Sequence, residues 1–130
     1  MTKEEYVRAA NAICQDVDAR AEAIAEPKNP DEFVASMNAL IKVMDDGQAK
    51  LAKLTPPAEV KAEVGEKFLG PNARQAAALR TALPKLEAAA RAQDQMTAMA
   101  AFGEAFQQMG QIATDQSAWA AGFGLTECAS

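Results

Sequence analysis

The chain has 130 residues, enough for one domain with a real hydrophobic core and too few to expect two. Its formal charge of −5, with lysines and arginines interspersed among acids rather than gathered in a stripe, argues against a nucleic-acid partner. No apolar run approaches the roughly 20 residues that span a bilayer, and the alanine-rich, β-branch-poor, aromatic-poor composition predicts an all-α fold.

Thr2 followed by Glu5 fits a capping box, and Tyr6, Ala10, Ile13, Val17, Ala21 and Ile24 then form one apolar stripe. A first helix is expected over residues 2 to 26, ended by Pro27. Asn29 offers the next N-cap with Pro30 at the first helical position, and Phe33, Met37, Leu40, Ile41, Met44, Leu51 and Leu54 carry a second helix to about residue 54. Thr55, Pro56 and Pro57 repeat the start signal. Val60, Val64, Phe68, Leu79, Leu83 and Leu86 form a third stripe, with a break or bend expected at Gly70-Pro71 and a kink near Pro84. Asp94 is the expected cap of a fourth helix with Met99, Phe102, Phe106, Met109, Ala113 and Ala120 inward, stopping near Gly122.

Four such stripes on short connections suit a single domain over residues 1 to 130, an antiparallel up-down-up-down four-helix bundle. In that arrangement the last helix ends beside the start of the first, whereas Cys14 lies about 18 Å along the first helix at the standard rise. The tail "AGFGLTEC" must therefore double back. Gly122 and Gly124 permit the left-handed turn, and Leu125 can pin the returning segment, which makes a Cys14–Cys128 disulfide geometrically reasonable. An oxidising compartment follows from such a bond. Met1 is followed at once by "TKEEY", a helix start rather than a leader, so an exported form is expected to have lost its signal peptide.

The segments "YVRAANAICQDVDAR", "PPAEVKAE", "ALPKLEAAARAQD" and "GFGLTEC" together resemble a group of small exported proteins and lipoproteins of actinobacteria. In that group an Ala-Asn-Ala-Ile-Cys helix and a Gly-Leu-x-x-Cys terminus bracket a helical domain. The resemblance covers nearly the whole chain. It implies secretion, a Cys14–Cys128 bond, and tethering through a lipidated cysteine upstream of the present residues as a further option. The chain departs from the pattern at Gln93, where glycine is usual before Asp94.

The chain contains no histidine, so the His-based di-iron, haem, zinc and Ser-His or Cys-His sites are not available to it. No catalytic residue, metal or cofactor is therefore assigned. Glu59, Glu63 and Glu66 share one side of a helix but read best as a solvated face, and "DDGQ" lacks the ligand spacing of a calcium loop. Gly47 in that motif reads instead as a place where another helix, or the Trp119 ring, comes close.

Met37, Met44, Phe102, Phe106 and Met109 read mainly as core, with a Met/Phe-lined apolar pocket as their functional alternative, and Cu(I) ligation by the methionines is weaker still. Trp119 and Phe123 read as packing under the tail, or else as an exposed binding surface. The function these features favour is a non-catalytic binding or interaction module outside the cytoplasm, with an unidentified protein or small apolar ligand as partner. Three alternatives are a carrier of a small apolar ligand, an inhibitor of an exported enzyme, and an all-helical secreted enzyme. The last needs arginines to converge, and Arg8, Arg20, Arg74, Arg80 and Arg91 form no visible cluster in the sequence.

Overall fold

Thr2 opens the first helix as its spacing predicts: Thr2 Oγ1 accepts from the Glu5 amide at 3.1 Å and Glu5 Oε1 accepts from the Thr2 amide at 2.9 Å. The computed structural model describes residues 1–129 and is helical throughout, with no strand among the described residues. Helix α1 (Lys3–Glu22) stops two residues short of the end of its apolar stripe, because the Pro27 ring excludes a helical carbonyl at Ala23. Asn29 Oδ1 accepts from the Glu32 amide at 2.9 Å and Pro30 stands in the first turn of α2 (Pro30–Ala52).

The third stripe folds differently from its prediction. Thr55 makes no capping bond. A single 3-10 turn at Ala58–Val60 leads into the short α3 (Lys61–Val64), then a π turn at Gly65–Leu69, then α4 (Gly70–Arg91). Of the break or bend expected at Gly70-Pro71, no break occurs, since Leu69 (φ −67°, ψ −41°) and Gly70 (φ −60°, ψ −51°) are both right-handed helical. A proline there removes an amide and crowds the carbonyl four residues back, and the wider π turn takes up that mismatch without interrupting the helix. Pro84 lies inside α4, which continues to Arg91.

Asp94 caps α5 (Gln95–Phe123), accepting from the Thr97 amide at 3.1 Å and its hydroxyl at 2.7 Å. Just before it Gln93 sits at φ 51°, the left-handed conformation that glycine adopts most readily. Helix α5 runs past Gly122 and ends at Gly124, whose φ of 107° turns the chain back. The Gly124 and Leu125 amides both donate to Ala120 O, Leu125 is fully buried, and a 3-10 turn at Thr126–Cys128 lies along α1. Cys14 and Cys128 are joined, with Cα atoms 5.1 Å apart.

Helix α2 packs on α1, α4 and α5, and α4 packs on α5. One core cluster joins Phe33, Met37 and Ile41 to Leu79 and Leu86 and to Ala98, Ala101 and Ala105; the other gathers Tyr6, Ala10, Leu51, Val64, Phe68, Ala120 and Leu125. The inward face of α5 keeps part of the predicted one, with Ala120 fully buried and Phe102 and Met109 half-buried against the core. Met99 and Phe106, expected inside, are 55% and 38% exposed, while Ala98, Ala101 and Ala105 are buried. Ala82 and Ala89 of α4 are buried opposite this alanine stripe, and small side chains on both helices bring the two backbones together, leaving the larger ones at the margin.

Candidate ligand cavity beside the disulfide

The π turn sets carbonyls where side chains of other helices can reach them. Gln48 Nε2 of α2 donates to Leu69 O at 3.1 Å, and Gln116 Nε2 of α5 donates to Phe68 O at 3.0 Å. Gln116 Nε2 also donates to Asn72 Oδ1 at 2.5 Å, and Gln75 Nε2 donates to Gln116 Oε1 at 2.6 Å. Gln75 and Gln116 are buried. Four amide side chains from three helices thus surround one irregular turn, a placement typical of π turns near functional sites.

These amides line a cavity of about 160 Å³. It exists because α1 and α5 do not pack on one another along their length; α1 leans on α2, and the returning tail touches both α1 and α5. Val17, Met44, Leu51, Phe68 and the disulfide supply apolar wall, and Asp18 and Glu127 supply the charged side chains of the lining, which includes no lysine or arginine. Asn11 holds the tail in place: its Nδ2 donates to Gly124 O and its Oδ1 accepts from the Glu127 amide, both at 3.1 Å.

The Gln48 amide is orientated without ambiguity, since reversing it would set Oε1 against the Leu69 carbonyl. In that orientation Gln48 Oε1 is buried and receives no donor from the protein. A buried acceptor without a donor is costly, and this one lies out of reach of water, behind the cavity lining rather than open to it.

The Cys14–Cys128 pair forms one wall of this site. Trp119 and Phe123 are half-buried and lie outside it: Trp119 stacks on Phe123 at 4.8 Å and on Phe68 at 6.2 Å, and its Nε1 donates to Glu63 Oε1 at 2.7 Å. Tyr6 meets the Phe123 ring edge-on and Lys3 Nζ lies 4.5 Å above it. Of the Met/Phe set, Met37 is fully buried in the core, Met44 lines the cavity, and Phe102 and Phe106 line a separate groove of about 220 Å³ with Ile24 and Leu40. Met109 packs at the edge of the core.

Gly47 faces α1, as one of its two expected neighbours, and not Trp119. Glu59 and Glu66 are exposed, and no group of three or more carboxylates or thiols is placed to hold a metal ion among the described residues. Arg8, Arg74, Arg80 and Arg91 are exposed, and Arg20 is paired with Asp46 at 3.0 Å. The amides do carry a signal in the sequence, outside the expected site residues: Gln48 between Met44 and Leu51, Gln75 between Phe68 and Leu79, and Gln116 between Ala113 and Ala120 each stand on an apolar stripe.

No protein-family model matches the chain, and neither the curated proteins nor the solved structures offer a match.

Proposed function

We propose that this protein is a non-catalytic, extracytoplasmic binding module, an up-down-up-down helical bundle whose site is the amide-lined cavity between α1 and α5. The observation that carries the reading is a cavity of about 160 Å³ beside the disulfide, lined by the four amide side chains of Gln48, Asn72, Gln75 and Gln116 and comparable in size to cavities that accept a small ring. The disulfide bears on both halves of the proposal: it favours an oxidising compartment, and it fixes one wall of the cavity, which lowers the ordering cost of binding.

The test is a fragment screen followed by two-dimensional NMR on the oxidised protein. Fragments that move the resonances of Gln48, Gln75 and Gln116 in a saturable way support the cavity as the site, whereas fragments that perturb only Trp119 and Phe123 transfer the binding role to the tail surface. A second reading, a carrier of an apolar ligand, draws on the groove at Ile24, Leu40, Phe102 and Phe106; apolar fragments that select this groove over the amides favour it.

A further inference from the structure

From the hydrogen-bonding groups left over on the cavity wall we infer the class of its ligand, an inference that rests on the cavity being the binding site: a small neutral ring with an N–H donor beside a carbonyl acceptor, that is, a lactam or another cyclic amide. One backbone carbonyl fixes the orientation of the wall. Phe68 O can only accept, so the Gln116 atom 3.0 Å from it is Nε2, and the Asn72 atom 2.5 Å from that same nitrogen must be the acceptor Oδ1. Gln116 Oε1 must then receive, and the atom 2.6 Å from it is Gln75 Nε2. Two groups remain at the ends of this chain, the Asn72 Nδ2 donor and the Gln75 Oε1 acceptor, and neither is paired with another described residue.

Both groups are reachable. Gln75 is nine-tenths buried and lines the cavity, yet the partnerless buried side-chain atoms sealed from all access are Tyr6 Oη and Gln48 Oε1, so Gln75 Oε1 keeps open surface. Asn72 is half-buried and lines the same cavity one turn earlier on α4, about 5–6 Å away between Cβ atoms, within reach of one small molecule. An N–H of the ligand then donates to Gln75 Oε1 and its carbonyl accepts from Asn72 Nδ2. The lining has no lysine or arginine, so a carboxylate or phosphate finds no counter-charge, and its two acids, Asp18 and Glu127, already hold interactions within the protein. The cavity is close to the roughly 150 Å³ of an engineered cavity that accepts benzene, which admits a six-membered ring and excludes a nucleotide or a sugar chain. Val17, Met44, Leu51 and Phe68 supply apolar surface for the methylenes of such a ring.

The probes are 2-piperidone and cyclohexanone, rings of one size that share the carbonyl and differ in the N–H, titrated into ¹⁵N-labelled, oxidised full chain. 2-Piperidone is expected to shift the side-chain amide resonances of Asn72, Gln75 and Gln116 saturably, with an affinity about tenfold above that of cyclohexanone, which leaves Gln75 Oε1 without a donor. Asn72→Asp keeps an oxygen for Gln116 Nε2 and replaces only the outward donor, so it is expected to weaken both probes about tenfold, since both carbonyls lose the same partner. Equal affinities of the two probes for the unaltered chain would overturn the cyclic-amide assignment while leaving the cavity as a binding site, and so would undiminished binding of 2-piperidone to a folded Asn72→Asp chain. Absence of saturable shifts with either probe would overturn the ligand class and the cavity reading together. If Asn72→Asp fails to fold, the comparison of the two probes on the unaltered chain still decides the question.

Discussion

Gly47 and Val17 meet so closely that a Cβ placed on Gly47 would lie 2.5 Å from Val17 Cγ2. A glycine in mid-helix forgoes about 1 kcal/mol of helix propensity relative to alanine, so Gly47→Ala would stabilise an isolated α2. In the folded protein the steric term opposes it, because Val17 is stiff at its first torsion and cannot swing aside, and overpacking of this kind costs about 1–3 kcal/mol. Gly47→Ala is therefore expected to destabilise the protein by about 1 kcal/mol net in urea unfolding. Val17→Ala combined with Gly47→Ala should recover part of that loss, the positive coupling of a double-mutant cycle.

The disulfide joins residues 114 apart in sequence. The chain-entropy treatment assigns a loop of this length a stabilisation of about 4–5 kcal/mol. Reduction, or Cys14→Ser with Cys128→Ser, is expected to lower Tm by about 15 °C in calorimetry. A change of only a few degrees would show that the unfolded chain is already compact.

Much of the fold is legible in the sequence because its signals are local. The Thr2 and Glu5 box, the Asn29 and Asp94 caps and the left-handed Gly124 each depend on a few adjacent residues and appear in the structure where the sequence has them. The inward face of α5 was legible only in part. Leu86 and Ala89 decide from another helix that alanines 98, 101 and 105 are buried and Met99 is not, and periodicity along one strip of chain cannot carry that information. The cavity was hidden for a similar reason: it depends on a π turn created by the context of Pro71, and on three glutamines that look like ordinary polar residues until their stripes are superposed.

Gln93 offers a test of local strain. It occupies φ 51°, is exposed, and makes one side-chain bond, from Nε2 to Ala90 O at 2.6 Å. A left-handed non-glycine residue costs about 1–2 kcal/mol. Gln93→Gly removes that cost, partly offset by the lost hydrogen bond and by greater freedom of the unfolded chain, for an expected gain of about 0.5–1 kcal/mol. Gln93→Val, β-branched at the same torsions, is expected to shift the denaturation midpoint the other way.

The pH dependence has opposite signs at the two ends of the scale. Glu5 is held below its ordinary value by the Thr2 amide, Asp46 by its hydrogen bond from Arg20, and Asp94 by Thr97. In this range the unfolded chain binds more protons than the folded one, so the contribution of these groups is present above the ordinary carboxylate pKa and is lost as pH falls through the lowered values. Burial pushes the Tyr6 hydroxyl up to about 12, so between about 10 and 12 it is the unfolded chain that releases the proton. Stability is expected to decline across that alkaline window by about 2–3 kcal/mol in total. Tyr6→Phe should abolish the decline and, because the buried hydroxyl has no hydrogen-bond partner, should stabilise the protein near neutrality by about 0.5–1 kcal/mol. Thermal scans of both proteins from pH 7 to 11.5 would check the two effects separately.

The position of Cys128 after α5 also imposes an order of events on the newly made chain. Its thiol cannot reach Cys14 until all four long helices have been synthesised and α5 has turned at Gly124. The first helix made is thus the last to be covalently fixed, and α1 must either wait reduced or dock and be released while the rest assembles. Oxidation at Cys14 is consequently a readout of completed assembly: a chain truncated anywhere before the return turn keeps a free thiol on α1, open to mixed disulfides with other thiols.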